Sequence, residues 1–213
     1  MKLNLKDKYD FVIDYFTKQN PDATSELKYE NPFQLLVAVV LSAQCTDKRV
    51  NMVTPALFQK FPTPTALANA SVDEIREVVK SVSYPNSKAT HLNELSKMLV
   101  ADFGGVVPGN REDLQKLPGV GRKSANVLLA VAFDIPAMPV DTHVFRVSAR
   151  IGLVVNAKNP LETEEQLVGY FPEHLLSVAH HWLILHGRYV CTARNPKCDQ
   201  CGLKEICNYY QKS

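Results

Sequence analysis

The chain has 213 residues, 46% of them apolar, and a formal net charge of +2. That is ample apolar material for one large or two small cores, and too little charge to announce nucleic-acid binding by itself. The longest apolar run, Leu35 to Leu41, falls far short of the ~20 residues of a membrane span, and Met1-Lys2-Leu3-Asn4 lacks the basic and apolar segments of a secretory signal, so a cytoplasmic location is expected, at the nucleoid if the source is bacterial.

Helical signals recur and hairpin signals are scarce, since no Asn-Gly or Asp-Gly pair separates alternating apolar and polar residues; the expected fold class is all-α. The Leu35–Leu41 run reads as a buried helix with Cys45, a small apolar thiol, at its end. Phe61-Pro62-Thr63-Pro64 breaks the chain. Ser71-Val72-Asp73-Glu74 is a capping box ahead of Ile75, Val78 and Val79, and predicts a helix over about 72–82. Further breaks fall at Ser83-Tyr84-Pro85-Asn86, Phe103-Gly104-Gly105 and Ile135 to Pro139.

Between the last two breaks, a helix-compatible run from Arg111 to Lys116 leads into Leu117-Pro118-Gly119-Val120-Gly121, and an apolar-periodic helix follows from Arg122 to Ala130. The two glycines permit backbone conformations and a close approach that side chains would block. Amides of the hairpin and of the next helix's N-terminus can therefore face a phosphate and grip a DNA backbone without reading its sequence. Gly-x-Gly turns also join helices that bind nothing, so the weight of this one comes from its surroundings.

Asp141 follows Pro139-Val140 and precedes a helix-compatible run from Thr142 to Val147, the arrangement of an N-cap. Asn159-Pro160-Leu161-Glu162 announces another helix, with Leu161, Leu167 and Val168 facing its core. His180, His181 and His186 lie beside Trp182, Leu183 and Leu185 and read as core or polar-network residues rather than metal ligands. Basic residues group locally as Lys48 with Arg49, Arg122 with Lys123, Arg146 with Arg150, and Arg188 through Lys197. Solvated helix faces would explain any one of these groups alone.

Four of the five cysteines crowd near the C-terminal end, at Cys191, Cys198, Cys201 and Cys207. Sulfur-only ligation suits either a tetrahedral zinc or a four-iron four-sulfur cluster. Disulfides are disfavoured without a route to an oxidising compartment. Structural zinc usually takes two close pairs of ligands, whereas only Cys198 and Cys201 form such a pair here, and this uneven spacing favours the cluster. The loop between the first two ligands carries Arg194 and Lys197, a basic segment pinned at both ends that looks like a phosphate contact.

Taken together, Leu41-Ser-Ala-Gln-Cys-Thr-Asp47, Asn86-Ser-Lys-Ala89, Leu117-Pro-Gly-Val-Gly-Arg-Lys123, Val140-Asp-Thr-His-Val144, His186-Gly-Arg188 and the four cysteines resemble the endonuclease III branch of the helix-hairpin-helix DNA glycosylases. The resemblance spans roughly residues 25 to 207. It implies a six-helix domain over residues 25–135 and a discontinuous second domain, residues 1–24 with 136–213, carrying a 4Fe-4S cluster, with DNA bound across the cleft. The implied partner is double-stranded DNA bearing damaged bases or abasic sites, bound by a monomer with no membrane attachment.

Lys123 matches the family's lysine nucleophile, which attacks C1′ of a damaged nucleotide. An amine displaces the base and leaves an imine, which acidifies the neighbouring sugar carbon and permits β-elimination of the 3′ phosphate. A lysine of ordinary pKa, ~10.4, is mostly protonated at neutral pH, so the role requires burial or a cationic neighbour. A lysine at a helix start could equally bind phosphate and leave DNA intact. Asp141 matches the catalytic aspartate, whose carboxylate would stabilise positive charge on the sugar or help handle the lysine's proton. The target nucleotide must be extruded and its gap filled. Gln44 matches the gap-filling glutamine, while the wedge loop has Tyr84 where the family usually carries leucine; an aromatic ring can stack between bases. Gly119, Gly121 and Arg122 are the implied phosphate contacts of the hairpin.

The reading is therefore a bifunctional repair glycosylase that removes oxidised pyrimidines and cleaves the abasic site. One alternative is a monofunctional, adenine-type mismatch glycosylase, disfavoured by the absence of a catalytic glutamate near Gln44 and by the short tail after Cys207. Another is a non-catalytic iron-sulfur DNA-binding protein, in which Lys123 and Asp141 would be accidental.

Overall fold

A computed structural model describes residues 3–212. Among these residues no strand occurs, and eleven α-helices run in the order α1 (Leu5–Gln19), α2 (Pro32–Ser42), α3 (Asp47–Lys60), α4 (Pro64–Asn69), α5 (Val72–Val79), α6 (Pro85–Phe103), α7 (Arg111–Leu114), α8 (Arg122–Ala132), α9 (Thr142–Ile151), α10 (Pro160–Tyr170) and α11 (Leu176–Tyr189). The fold class is all-α, as the hydrophobic periodicity indicates. The chain divides into two compact units, one of Ser25–Ile135 and the other of the residues up to Thr24 joined with those from Pro136 onward.

In the unit Ser25–Ile135, α2 is apolar all round, and every residue from Leu35 to Leu41 is buried. A helix with no polar face must be enclosed by others. It packs against α3, α6 and α8, while α6 also packs on α4 and α5. Most helix starts are fixed by local chemistry. The Ser71 hydroxyl accepts from the Glu74 amide at 3.2 Å, and the Glu74 carboxylate accepts from the Ser71 amide at 2.9 Å. The helix begun by this capping box ends at Val79 rather than near residue 82. Val79 carbonyl instead accepts from Val82 N–H in a turn, and Pro85, the first residue of α6, disfavours right-handed helix at Tyr84.

The other unit joins the two ends of the chain. Phe16 of α1 stacks on Trp182 of α11 with 5.7 Å between ring centroids, and the indole Nε1 donates to the Asn20 carbonyl at 2.7 Å. Tyr9 donates its hydroxyl to the Leu153 carbonyl at 2.9 Å. Asn159 caps α10 as expected, accepting from the Glu162 amide at 2.9 Å. Leu167 is fully buried, but Leu161 and Val168 are exposed, contrary to expectation. Adjacent positions on a helix lie about 100° apart, so Val168, and Leu161 seven residues before it, share a stripe beside the buried one.

Candidate DNA interface and metal centre

The hairpin is built as its sequence suggests. α7 is a single turn, capped by Asn110, and Leu114, Leu117 and Val120 are buried beneath the turn. Val120 N–H donates to the Leu117 carbonyl at 3.0 Å, closing the turn. Gly119 has φ +83°, and a Cβ there would lie 3.1 Å from the His91 ring, so glycine is needed for both conformation and space. Gly121 differs. Its φ of −89° suits any residue, and a Cβ would meet nothing within 4 Å. α8 starts at this glycine without a side-chain cap. Arg122 is exposed and Lys123, the second residue of α8, is half-buried.

Gln44 and Tyr84 are brought together. Gln44 lies beyond the end of α2 with φ +52°, and Tyr84 immediately precedes α6 with φ +55°. Left-handed backbone costs a non-glycine residue about 1 to 2 kcal/mol, so two such residues side by side mark a shape imposed by the surroundings. The Ser83 hydroxyl donates to the Gln44 carbonyl at 2.6 Å. Lys88, buried in the first turns of α6, donates from Nζ to the carbonyls of Leu41 at 2.8 Å and Ala43 at 2.7 Å. Burial lowers the Lys88 pKa from its ordinary value. Both Gln44 and Tyr84 side chains face solvent, and Tyr84 is 63% exposed. Cys45 lies in the turn after α2, half-buried, rather than within the helix.

Asp141 is the N-cap of α9. Its Oδ1 accepts from the amides of His143 and Val144, each at 2.8 Å. Asp141 and Lys123 belong to different units.

Cys191, Cys198, Cys201 and Cys207 line one pocket, with Ile151, Val190 and Leu203 supplying apolar wall. Among the described residues, no three cysteine, histidine or acidic side chains converge as they would on a single metal ion. Four sulfurs framing a pocket without meeting at a point fit a cluster of several atoms better than one zinc. Burial also pushes the Cys201 thiol up. Four thiolates in such a place need the positive charge of bound metal, and the donor set fits a 4Fe-4S cluster.

The segment carrying these sulfurs is a chain of tight turns, and much of its bracing comes from α9. Arg150 donates to the carbonyls of Thr192 at 2.7 Å and Ala193 at 2.9 Å, lies 3.5 Å from Cys191 Sγ, and packs over the Tyr209 ring at 4.5 Å. Arg146 donates to the Gly187 carbonyl at 2.9 Å and to that of Cys191 at 3.2 Å. Arg146 and Arg150 thus form a brace, not a solvated basic face. Arg194 and Lys197 remain exposed on the loop that Arg150 holds. Gly187 lets α11 approach α9, since a Cβ there would fall 2.9 Å from His143 Cβ. His180, His181 and His186 are buried. His186 Nε2 lies 3.6 Å from Cys201 Sγ, and burial lowers its pKa to about 4, so the ring is neutral at physiological pH.

Three functional features escaped the sequence reading: the Arg146–Arg150 brace, the Ser83 hydroxyl and the Lys88 ammonium. The i, i+4 spacing of the arginines was visible. Lys88 beside Ala89 and ahead of Leu92 was a lysine on an otherwise buried stripe, which is itself a signal.

Comparison with known proteins places these features in context. Residues 37–173 match the model of the HhH-GPD superfamily base excision DNA repair proteins, and residues 191–207 match the iron-sulfur binding domain of endonuclease III. The chain is 47% identical over 210 residues to endonuclease III of Bacillus subtilis (strain 168), covering 99% of this chain and 95% of that one. It is 41% identical to endonuclease III of Escherichia coli (strain K12), covering 94% and 95%. Among solved structures it is similar to a trapped endonuclease III–DNA covalent intermediate in an estranged-adenine complex, with a TM-score of 0.94, 43% identity and 99% coverage of both chains.

Proposed function

The chain belongs to the endonuclease III family within the HhH-GPD superfamily, and from that membership we propose which of its residues perform the family's chemistry. It is a DNA-binding base-excision repair enzyme, a glycosylase that also cleaves abasic sites. Lys123 is the nucleophile. Its neutral amine attacks C1′ of the extruded nucleotide and the base departs with the bonding electrons. The resulting imine makes the C2′ proton acidic; loss of that proton expels the 3′ phosphate, and water then hydrolyses the imine to free the enzyme. Asp141 stabilises cationic character at the sugar and takes part in moving the lysine's proton. The two hydrogen bonds that its Oδ1 accepts from the α9 amides fix the direction of the carboxylate.

Hairpin amides about Gly119 and Gly121, with Arg122, hold the backbone near the lesion, and Arg194 and Lys197 contact phosphates farther along. Gln44 and Tyr84 fill the gap left by the extruded nucleotide. The preferred substrates are oxidised pyrimidines, and the enzyme acts as a cytoplasmic monomer. The observation that carries this reading is a lysine in the uncapped first turn of α8, in a chain 43% identical to one captured covalently on DNA.

Incubation with a duplex carrying one thymine glycol provides the test. The expected products are free base, a 3′ unsaturated aldehyde and a 5′ phosphate. Base release with the strand left intact would move the assignment to the monofunctional reading.

A further inference from the structure

The contacts behind Gln44 and Tyr84 bear on how the enzyme reads the base opposite a lesion. The two side chains come from turns 40 residues apart in sequence, and nothing in covalent geometry makes them move together. Their backbones are nevertheless joined. The Ser83 hydroxyl donates to the Gln44 carbonyl at 2.6 Å, one residue before Tyr84. The Lys88 ammonium, only 4% exposed, reaches from α6 to the carbonyls of Leu41 and Ala43 at the end of α2, one residue before Gln44. Gln44 and Tyr84 both occupy the left-handed region without being glycine. A lysine is a costly residue to bury, and an ordinary helix end is closed by a surface glycine or by water. Here the ammonium satisfies the negative end of the α2 dipole at the point where the chain turns out toward Gln44.

We propose that Ser83 and Lys88 are positioning residues that lock the Gln44 turn to the Tyr84 turn, so that the two side chains enter the duplex as one rigid pair and together set the preference for the opposite base. The proposal rests on the reading of Gln44 and Tyr84 as gap-filling residues. Neither Ser83 nor Lys88 touches the reacting atoms. Each acts through backbone: Ser83 holds the carbonyl of Gln44 itself, and Lys88 fixes the last turn of α2 from the helix that Tyr84 begins. A rigid pair explains how an exposed tyrosine, on a loop, can keep one direction. If the lock is broken, each turn relaxes toward ordinary right-handed backbone and the two side chains sample independent directions, so the base facing them is no longer held in one place.

The test uses duplexes carrying one thymine glycol opposite each of the four bases, and measures kcat/KM for base release as a spread across opposite bases. Gln44→Ala and Tyr84→Ala should each narrow the spread. Because they act as a pair, the double variant should fall short of the product of the single effects by at least about threefold. Lys88→Met should narrow the spread as far as Gln44→Ala does and abolish that non-additivity, while cleavage of a preformed abasic site, which has no base to release, changes by less than about threefold. Ser83→Ala, which removes one hydroxyl, should shift both quantities in the same direction by less, and it decides the matter if Lys88→Met does not fold. A wild-type spread in folded Lys88→Met and Ser83→Ala, with Gln44→Ala altered, would overturn the lock alone. A spread unmoved by both Gln44→Ala and Tyr84→Ala would overturn the gap-filling reading and the lock with it.

Discussion

Residues 191–207 and the paired turns around Gln44 and Tyr84 both hold irregular chain in a single shape, and they do so by opposite means. The first segment has one short 3-10 turn, Cys198–Gln200, and four sulfurs facing a pocket. Its sulfurs are suited to a bound cluster, and guanidinium groups arriving from α9 hold its carbonyls. The second depends on no cofactor. It stands on a helix whose residues from Leu35 to Leu41 are all buried, with one buried ammonium and one hydroxyl holding the backbone beyond them. A surface loop that carries only charge can be braced by a cofactor; the pair of side chains proposed to enter the duplex is built on the apolar core.

This contrast predicts where each region fails. The largest effect belongs to Cys198→Ser. Metal-dependent segments draw most of their folding free energy from ligation, so soluble yield, the visible absorbance of the cluster and DNA affinity should fall together. A well-folded variant that binds DNA normally would show that the cluster does not brace the Arg194 and Lys197 loop. Arg150→Met should be intermediate. It removes charge-assisted bonds to two carbonyls, each worth about 1.5 to 3 kcal/mol when buried and less at a half-exposed position such as this one. Weaker DNA binding with the cluster retained is the expected result, read by anisotropy and absorbance; equal binding would limit the role of Arg150 to the metal.

The smallest effect lies at the start of α5, outside both loops. Ser71→Ala should cost about 1 kcal/mol of stability by urea unfolding and leave both loops unchanged. The Ser71 amide and hydroxyl hold the Glu74 carboxyl below its ordinary range. A carboxylate whose folded pKa is depressed stabilises the protein above its unfolded pKa, and that contribution disappears as pH falls through the folded one. Acid unfolding of Glu74→Gln should therefore depend less on pH in this window than wild type, and an identical profile would contradict the capping contact.

The features legible in sequence are those whose cause is local. The capping box at Ser71, the Asn159 cap with Pro160, and Asp141 ahead of α9 each join residues two or three apart, and each stands in the structure as written in the chain. The cysteine spacing announced a sulfur-lined centre because ligands crowded on one segment have few other uses. What was not legible depends on distant partners. Leu161 and Val168 have the spacing of a core face, yet Leu167 is the buried one, because periodicity gives a stripe without saying which neighbour covers it. The Lys88 contacts span 45 and 47 residues and end on carbonyls, which carry no sequence signature. The same holds for Arg146 and Arg150, whose acceptors are backbone atoms of the cysteine segment. Three α-helices, begun at Tyr84, Gly121 and Leu175, lack the side-chain cap that the other eight have, and the first two of these positions belong to the proposed DNA contacts.

In the proposed mechanism the amine of Lys123 forms the covalent bond to the sugar. Borohydride reduction during reaction with a duplex containing one abasic site, followed by proteolysis and mass mapping of the adduct, tests it most directly. The expected result is a single DNA-linked peptide with the modification on Lys123, and no adduct from Lys123→Gln although that variant still binds the duplex. An adduct mapped to another residue, or strand cleavage that persists in Lys123→Gln, would contradict it.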